Sequence, residues 1–418
     1  MRNEILSGLV GVEQLLQHLP GSVAAGLSAR LAELRRLLVE QRSPRLVLVG
    51  RRGAGKSSLV NAIFNEPIAS IGHTGRGTLE PRWYPYRSER GSLDVLDTRG
   101  IGEARTEGES DGRAAAVSML LDAARTSPPD ALLFLVKAKE IESRTDEDVA
   151  DLNKICRELG QRAGFQLPII GVLNQCDELS PPTVRLDALD TGARYLQKLE
   201  AVRQVEGKLF HRLTPSVVPG TRLVGTLGVV SYAEWDAQGH LIDDLRWRIP
   251  ELVRVIFDQL PTEAQLELVR LSRVRKLQRE VAVRVVQATS AIAAAIAAVP
   301  LPVADMAPIT SAQVAMLIAI GHIAGRELSV KAATEFLVAL GVNVGAGFVF
   351  REVTRQLLKW AFPGGGSAVS AAVAYAATLG LGTAAIAYFI DEKSVAEAKE
   401  AYKKTRQETE NQYRPEAP

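Results

Sequence analysis

Short apolar runs alternate with helical stretches through the middle of the chain. Five of these runs are rich in Val, Leu and Ile and are four to seven residues long: 46–49, 93–96, 131–136, 168–173 and 224–230. Continuous apolar runs of this length are typical of parallel strands whose sheet is covered by helices on both faces. Residues 44–260 are therefore predicted to form an α/β domain with a mostly parallel sheet and helices on both of its faces.

Helical patterns flank this domain. Before it, Leu27, Leu31, Leu34 and Leu38 recur at three- and four-residue spacing, which predicts an N-terminal helical segment over 1–43. After it, a connector helix is predicted over 261–284, with the cations Arg270, Arg273, Arg275, Lys276, Arg279 and Arg284. The chain is apolar and alanine-rich over 285–390, where an all-α domain is expected, and it ends in a charged tail over 391–418.

Three stretches near the C-terminus contain no Asp, Glu, Lys or Arg for at least 20 residues: 285–304, 306–325 and 360–390. A helix that spans a bilayer needs ~20 apolar residues, and the basic connector helix fits the cytoplasmic side of a membrane. We therefore expect an anionic membrane surface as a partner, at the cytoplasmic face of the inner membrane. A soluble bundle of tightly packed helices is the alternative, because alanine, serine, glycine and threonine drive insertion only weakly.

Composition narrows the class of protein further. Of the 418 residues, 46% are hydrophobic and 23% are charged, so the chain is globular rather than wholly disordered. A net charge of +2 produces no overall electrostatic field that would attract nucleic acid, and no nucleic-acid partner is expected. Two cysteines cannot form a disulfide framework, and no secretory signal is recognised, so a cytoplasmic protein is expected.

A phosphate-binding loop is the strongest chemical signal. Residues 50–57 read Gly-Arg-Arg-Gly-Ala-Gly-Lys-Ser between the strand 46–49 and a helical pattern, and they match G-x-x-x-x-G-K-[ST]. In such a loop the backbone N–H groups and the helix N-terminus bind phosphate oxygens. Lys56 is expected to reach the β- and γ-phosphates, and Ser57 to bind Mg²⁺. The other nucleotide-binding candidates in this phosphate loop are Gly50, Gly53, Ala54, Gly55 and Ser58.

Two further segments favour GTP over ATP. Asp97-Thr98-Arg99-Gly100 follows a predicted strand, so Asp97 is expected to hold Mg²⁺ through water and the Gly100 N–H to touch the γ-phosphate. Asn174-Gln175-Cys176-Asp177 follows another strand and resembles the N-K-x-D motif of GTPases. A carboxylate at Asp177 accepts from the two N–H donors on the guanine edge, a pair that adenine lacks. Ser231 follows the last strand as a weaker third candidate, because Ser231-Tyr232-Ala233 matches the usual motif poorly.

A switch threonine is expected between the phosphate loop and Asp97. Both Thr74 and Thr78 qualify as ligands of Mg²⁺ when the γ-phosphate is present. Thr78 is favoured because a glycine-rich stretch precedes it. His73 in the same stretch is interpreted as an ordinary loop histidine.

The order of these motifs resembles an Era-like GTPase of the translation-factor superclass, and residues 53–62 are also similar to dynamin-related and immunity-related GTPases. The C-terminal part resembles a bacterial domain of unknown function that is usually described as membrane-associated, through residues 300–305, 313–316 and 363–366. The resemblance implies hydrolysis of GTP to GDP and phosphate, with Mg²⁺ as cofactor. It also implies Lys56, Thr78 and Gly100 as the catalytic set.

Departures from the pattern predict slow hydrolysis. Ile101 stands where Ras-like enzymes place the glutamine that orients water, and Gly53 replaces the asparagine of potassium-stimulated relatives. Completion of the site by a homodimer through the G domain is one expectation, with an arginine finger among Arg51, Arg52, Arg76 and Arg99. The favoured interpretation of these four arginines is attraction of phosphate or solvated charge. The alternative is a soluble, nucleotide-gated module with negligible turnover that recruits a protein partner.

Overall fold

The structure, a computed structural model, describes residues 21–69, 83–97, 121–142 except 125, 145–160, 166–298 except 189, 307–340 and 367–412, with a few isolated positions before residue 21. The chain divides into two compact units. The sheet unit is Arg42–Ser272, and the helical unit combines Met1–Gln41 with Arg273–Pro418.

The described strands and helices are numbered along the chain. The strands are β1 (Arg45–Val49), β2 (Trp83–Ser88), β3 (Gly91–Asp97), β4 (Ala131–Lys137), β5 (Leu167–Asn174), β6 (Thr221–Gly228), β7 (Ala233–Trp235) and β8 (Leu241–Asp244). The helices are α1 (Gly21–Leu38), α2 (Lys56–Phe64), α3 (Thr145–Gly160), α4 (Ala193–Leu213), α5 (Ile249–Phe257), α6 (Thr262–Ser272), α7 (Arg275–Ala297), α8 (Ala307–Ile323), α9 (Val330–Ala339), α10 (Ser367–Phe389) and α11 (Val395–Gln412).

A six-stranded sheet in the order β2-β3-β1-β4-β5-β6 forms the centre of the sheet unit. Strands β3, β1, β4, β5 and β6 run parallel, and β2 pairs antiparallel with β3 at one edge. The predicted α/β fold with a mostly parallel sheet is confirmed, and each of the five predicted strands is present. Strand β2 was not predicted, because its half-exposed sequence Trp-Tyr-Pro-Tyr-Arg-Ser lacks a continuous apolar run.

Strands β4 and β5 are the most deeply buried part of the sheet. All eight residues of β5 and six of the seven in β4 are buried, as the apolar runs require when helices cover both faces. Helix α4 packs against β5 and β6. Asp130, just before β4, accepts from Arg42 at 2.6 and 2.8 Å and from the Arg45 N–H at 2.9 Å. These bonds tie the start of β1 to the start of β4, and the carboxyl ends of the parallel strands β1, β4 and β5 lie at one edge of the sheet.

In the helical unit, α10 lies between α7 and α11. Arg279 near the start of α7 pairs with Asp391, which follows α10, so α7 and α10 are antiparallel. An ideal Cβ at Gly382 of α10 would lie 2.4 Å from both methyl groups of Val286 in α7. The close packing of α7 and α10 therefore requires that residue 382 be a glycine, which has no side chain.

The predicted connector over 261–284 is not one helix. Helix α6 ends at Ser272 and α7 begins at Arg275, because Arg273 adopts the left-handed conformation with φ 52°. Helix α6 belongs to the sheet unit and α7 to the helical unit. The predicted charged tail contains α11, which packs on α10, and the predicted N-terminal segment contains α1, which packs on α7.

Two glycine-to-alanine substitutions test the packing of α7 on α10. We expect Gly382→Ala to destabilise the protein by about 1–3 kcal/mol, because the new methyl group overlaps Val286. Gly207→Ala is the matched control. It lies in α4 with no neighbouring atom within 4 Å of its ideal Cβ, so it should stabilise the protein by about 0.5–1 kcal/mol. Urea unfolding of both variants measures the difference, and equal effects would contradict the described packing.

Candidate functional site

The predicted phosphate loop connects β1 to α2, as the sequence requires. Gly50 follows the last residue of β1, and Lys56 is the first residue of α2. Gly53 and Gly55 have φ of 80° and 89°, a conformation that glycine adopts without strain. The turn therefore directs the N-terminus of α2, whose first N–H groups have no carbonyl partner four residues earlier within the helix, toward the carboxyl edge of the sheet.

Lys56 lies over the loop that precedes it. Its Nζ donates to the Gly50 carbonyl at 2.6 Å and to the Arg51 carbonyl at 3.3 Å. The ammonium is thus held above the loop backbone rather than pointing away into solvent. A cation beside a helix N-terminus is an arrangement that attracts phosphate oxygens.

Asn174 connects this loop to two other segments. It is the last residue of β5 and is buried. Its Nδ2 donates to the Ala54 carbonyl at 3.0 Å, and its Oδ1 accepts from Ser231 Oγ at 3.0 Å. The structure therefore brings together candidates from three places in the sequence, including Ser231, whose motif match is poor.

The residue after Asn174 reinforces the same contact. Gln175 donates from Nε2 to the Gly53 carbonyl at 3.0 Å and adopts φ 61°. An ideal Cβ at Gly55 would lie only 2.1 Å from Asn174 Nδ2, so no larger residue fits at that position. The segment 174–175 therefore lies directly against the phosphate loop.

Asp177 lies in a short 3-10 turn, Cys176–Glu178, immediately beyond this contact. It is half-buried, and burial raises the pKa of its carboxyl group above the usual range for aspartate. The neighbouring Cys176 is buried, and burial raises the pKa of its thiol to about 12. Asp177 is therefore the more accessible acceptor of this turn, whereas Cys176 fills the core.

The candidates for Mg²⁺ are only partly described. Ser57 is the second residue of α2, and Asp97 ends β3 opposite Leu48 of β1. The two positions therefore lie near the same edge of the sheet. Thr78, Gly100 and Ile101 lie outside the described residues, as do Thr74 and His73.

The arginines near the phosphate loop differ in their surroundings. Arg51 Nε donates to both carboxylate oxygens of Asp148 in α3, at 2.6 and 2.8 Å. This ion pair ties the loop to α3 and makes Arg51 a poor candidate for an arginine finger. Arg52 is exposed, and Arg76 and Arg99 lie outside the described residues.

Two polar side chains of α4 were missed by the sequence analysis. Lys198 and Glu206 point from its inner face toward the segments around Asp177 and β6. In a helix, a lysine and a glutamate are normally interpreted as solvent-facing. Their burial follows from the loops that close over α4, so no local pattern indicates it.

Two family profiles match the chain. Residues 45–175 match the family described as "50S ribosome-binding GTPase". Residues 263–415 match "Domain of unknown function (DUF697)". The first match covers the phosphate loop, Asp97 and Asn174, and the second assigns no chemistry to the C-terminal region.

Several solved structures are similar to parts of the chain at low sequence identity. Era in complex with MgGDPNP and nucleotides 1506–1542 of 16S ribosomal RNA is 16% identical over 60% of this chain and 68% of that one, with a TM-score of 0.32. Toc33 from Arabidopsis thaliana, a dimerization-deficient mutant, is 16% identical over 58% and 94%, with a TM-score of 0.33. A probable GTP-binding protein engB is 16% identical over 51% and 97%, with a TM-score of 0.32.

The family match and the geometry agree on the character of the sheet unit. A phosphate loop of the expected sequence follows β1, and a guanine-motif segment contacts it directly. The sheet unit therefore contains a P-loop GTPase domain that binds guanine nucleotide.

The bond between Ser231 and Asn174 can be tested by removing one hydroxyl group. We expect Ser231→Ala to lower the free energy of unfolding by about 1–3 kcal/mol, because the buried Asn174 Oδ1 loses this donor. Tyr232→Phe is the control: the neighbouring hydroxyl is exposed, and its loss should change stability by less than about 0.5 kcal/mol. Urea unfolding checks both values. A Ser231→Ala protein as stable as the control would contradict the bridging role of Asn174.

Proposed function

We propose that the protein binds GTP with Mg²⁺, hydrolyses it slowly to GDP and phosphate, and couples its nucleotide state to the helical unit. The observation that carries the first part is the contact of Asn174 with both Ala54 and Ser231. One buried amide thereby joins the phosphate loop to two segments of a base-recognition site. An adenine site has no need of the carboxylate at Asp177, which follows the same amide.

Each part of the nucleotide has a proposed set of contacts. The phosphates bind the backbone of residues 50–58 and the ammonium group of Lys56. Ser57, Asp97 through water and Thr78 would hold Mg²⁺, an all-oxygen donor set that suits this ion. The ion would supply positive charge to neutralise the phosphates. Gly100 contacts the γ-phosphate, so GTP orders the segments around Thr78 and Gly100 and hydrolysis releases them.

Slow hydrolysis follows from the residue after Gly100. Ile101 has no polar group with which to orient an attacking water molecule. We propose that a second copy of the chain, paired through the G domain, supplies the missing group. Since Arg51 is engaged with Asp148, Arg52 is the described arginine best placed to act across such a pair. A turnover number that rises with protein concentration is the signature of this arrangement.

Guanine specificity can be tested by replacing one hydrogen-bond acceptor of Asp177 with a donor. We expect Asp177→Asn to weaken GDP binding by about a hundredfold or more, because the amide cannot accept from both guanine N–H groups. The same variant should gain affinity for xanthosine diphosphate, whose base has a carbonyl where guanine has its amino group. Isothermal titration calorimetry with GDP and with xanthosine diphosphate measures the change in nucleotide preference.

Glu178→Gln is the control for the change in nucleotide preference expected of Asp177→Asn. Glu178 is the next residue in the same turn, and its carboxylate is exposed and pairs with Lys139. The variant should bind GDP as the unmodified protein does. A preference for GDP that survives in Asp177→Asn would rule out guanine recognition by Asp177.

The apolar helices of the helical unit could contact a membrane only if the packing of this unit changed. By length and composition, Arg275–Ala297 and Ser370–Phe389 could each cross a membrane, but more than half of each is buried in the unit, as in the core helix of a soluble protein. The charged helix α11 covers one side of α10, where Gly380 faces Tyr402 and Arg406. We propose that α10 contacts an anionic membrane at the cytoplasmic face once α11 has moved away.

A disulfide between α10 and α11 tests this proposal. The ideal Cβ of Gly380 lies 3.4 Å from the Cβ of Arg406, close to the separation in natural disulfides. Burial raises the pKa of Cys156 and Cys176 to about 12, so the native thiols do not compete. We expect the oxidised Gly380→Cys/Arg406→Cys protein to stay in solution and the reduced protein to float with anionic vesicles.

Three further outcomes distinguish the alternatives. The Arg406→Cys single variant controls for the lost cation and should float whether oxidised or reduced. Flotation of the locked double variant would contradict the need for α11 to move. If neither form floats and GTP is bound without turnover under any condition, the protein is the soluble, nucleotide-gated module that recruits a protein partner.

A further inference from the structure

Lys198 is a fully buried lysine in the sheet unit. It lies on α4, and none of its surface is exposed to solvent. Its Nζ donates to the backbone carbonyls of Asp177, Pro181 and Val184, at 2.6, 3.1 and 2.6 Å. An ammonium group has three N–H donors, so each of them has an acceptor here.

The three acceptors belong to one loop. They lie within residues 177–184, which begin at the last residue of the guanine motif. One ammonium group therefore binds three carbonyls of this loop, of which that of Pro181 also accepts from the Val184 N–H at 3.2 Å. Burying a lysine is costly unless its hydrogen bonds are made, and burial lowers the pKa of Lys198. The three hydrogen bonds offset that cost and fasten the loop to α4, which is a role beyond packing.

The position of Lys198 links it to the base rather than to the phosphates. The Asp177 carbonyl that it holds belongs to the same residue whose carboxylate is proposed to accept from guanine. The phosphate loop has its own supports, from Asn174 to Ala54 and from Gln175 to Gly53. Loss of Lys198 should therefore loosen the turn that carries Asp177 and leave the phosphate contacts in place.

The same helix supports the other side of the base site. Glu206 Oε1 accepts from the Gly228 N–H at 2.7 Å and from Arg248 at 2.7 Å. Gly228 ends β6, three residues before Ser231. Helix α4 thus holds the backbone at two places, one beside each base-recognition segment.

We propose that Lys198 is a positioning residue for guanine recognition, which orients the Asp177 carboxylate by gathering the backbone of residues 177–184. The inference rests on the proposed function of Asp177. Lys198 itself touches no nucleotide atom. Its effect is confined to the hydrogen bonds between Asp177 and the guanine edge.

The experiment compares two nucleotides that differ by one amino group. GDP presents both guanine N–H donors to Asp177, and inosine diphosphate lacks the exocyclic amino group. Their dissociation constants are measured by calorimetry in Mg²⁺ for the unmodified full-length protein and for Lys198→Met. We expect Lys198→Met to reduce the preference for GDP by about tenfold, the effect of one misplaced charge-assisted hydrogen bond. Binding of inosine diphosphate should change much less.

Two variants accompany Lys198→Met. Lys208→Met removes a lysine from the same helix, but its ammonium is at the surface and pairs with Glu142, so the nucleotide preference should be unchanged. Lys198→Gln keeps two N–H donors on a shorter side chain and should reduce the preference by less than Lys198→Met. If Lys198→Met fails to fold, as judged by circular dichroism, the inference is tested with Lys198→Gln instead. The quantity compared is again the ratio of the dissociation constants for GDP and inosine diphosphate.

The outcomes distinguish failure of the inference on Lys198 from failure of the proposed guanine recognition by Asp177. If the unmodified protein does not prefer GDP over inosine diphosphate, guanine recognition by Asp177 is wrong. If it does, and the folded Lys198 variants keep the full preference, Asp177 recognises guanine without Lys198 and the inference is overturned. Equal weakening of both nucleotides also overturns it, because that is the result of a purely structural role.

Discussion

The hydrogen bonds of one buried amide determine the geometry of the nucleotide site. Asn174 ends a strand that is buried along its whole length, so its side chain has little freedom to move. From there it donates to the phosphate loop and accepts from Ser231. In a buried site an unpaired amide atom costs about as much as a hydrogen bond is worth. Both contacts therefore persist together, and three distant parts of the sequence take up fixed relative positions.

Helix α4 extends this arrangement outward from the sheet. Its apolar side chains, among them Val202 and Leu209, pack on β5 and β6. Lys198 and Glu206 then attach the loop after Asn174 and the end of β6 to the same helix. The inner face of α4 therefore holds the backbone around the base site.

Predictability from sequence depends on how local the determining forces are. The buried strands and the phosphate loop were predictable, because continuous apolar runs and required glycines leave a direct pattern in the sequence. Strand β2 was not, since an edge strand needs only one neighbour and is half exposed. Ser231 was difficult to recognise because its contact needs only a hydroxyl group at the end of the strand. Lys198 could not be found, because its burial depends on a loop that folds over it.

The chain passes between its two units twice, at residues 41–42 and 272–273. Helix α1 is therefore made long before α7, against which it packs. At a synthesis rate of 5–20 residues per second, the 236 residues between Leu38 and Arg275 take roughly 10–50 s to add. During that time the apolar face of α1, which includes Leu27, Leu31 and Leu34, lacks its later partner, whereas the sheet unit is contiguous. The sheet unit is therefore synthesised in full before the helical unit. Until α7 has been made, α1 must be kept from contact with other apolar surfaces.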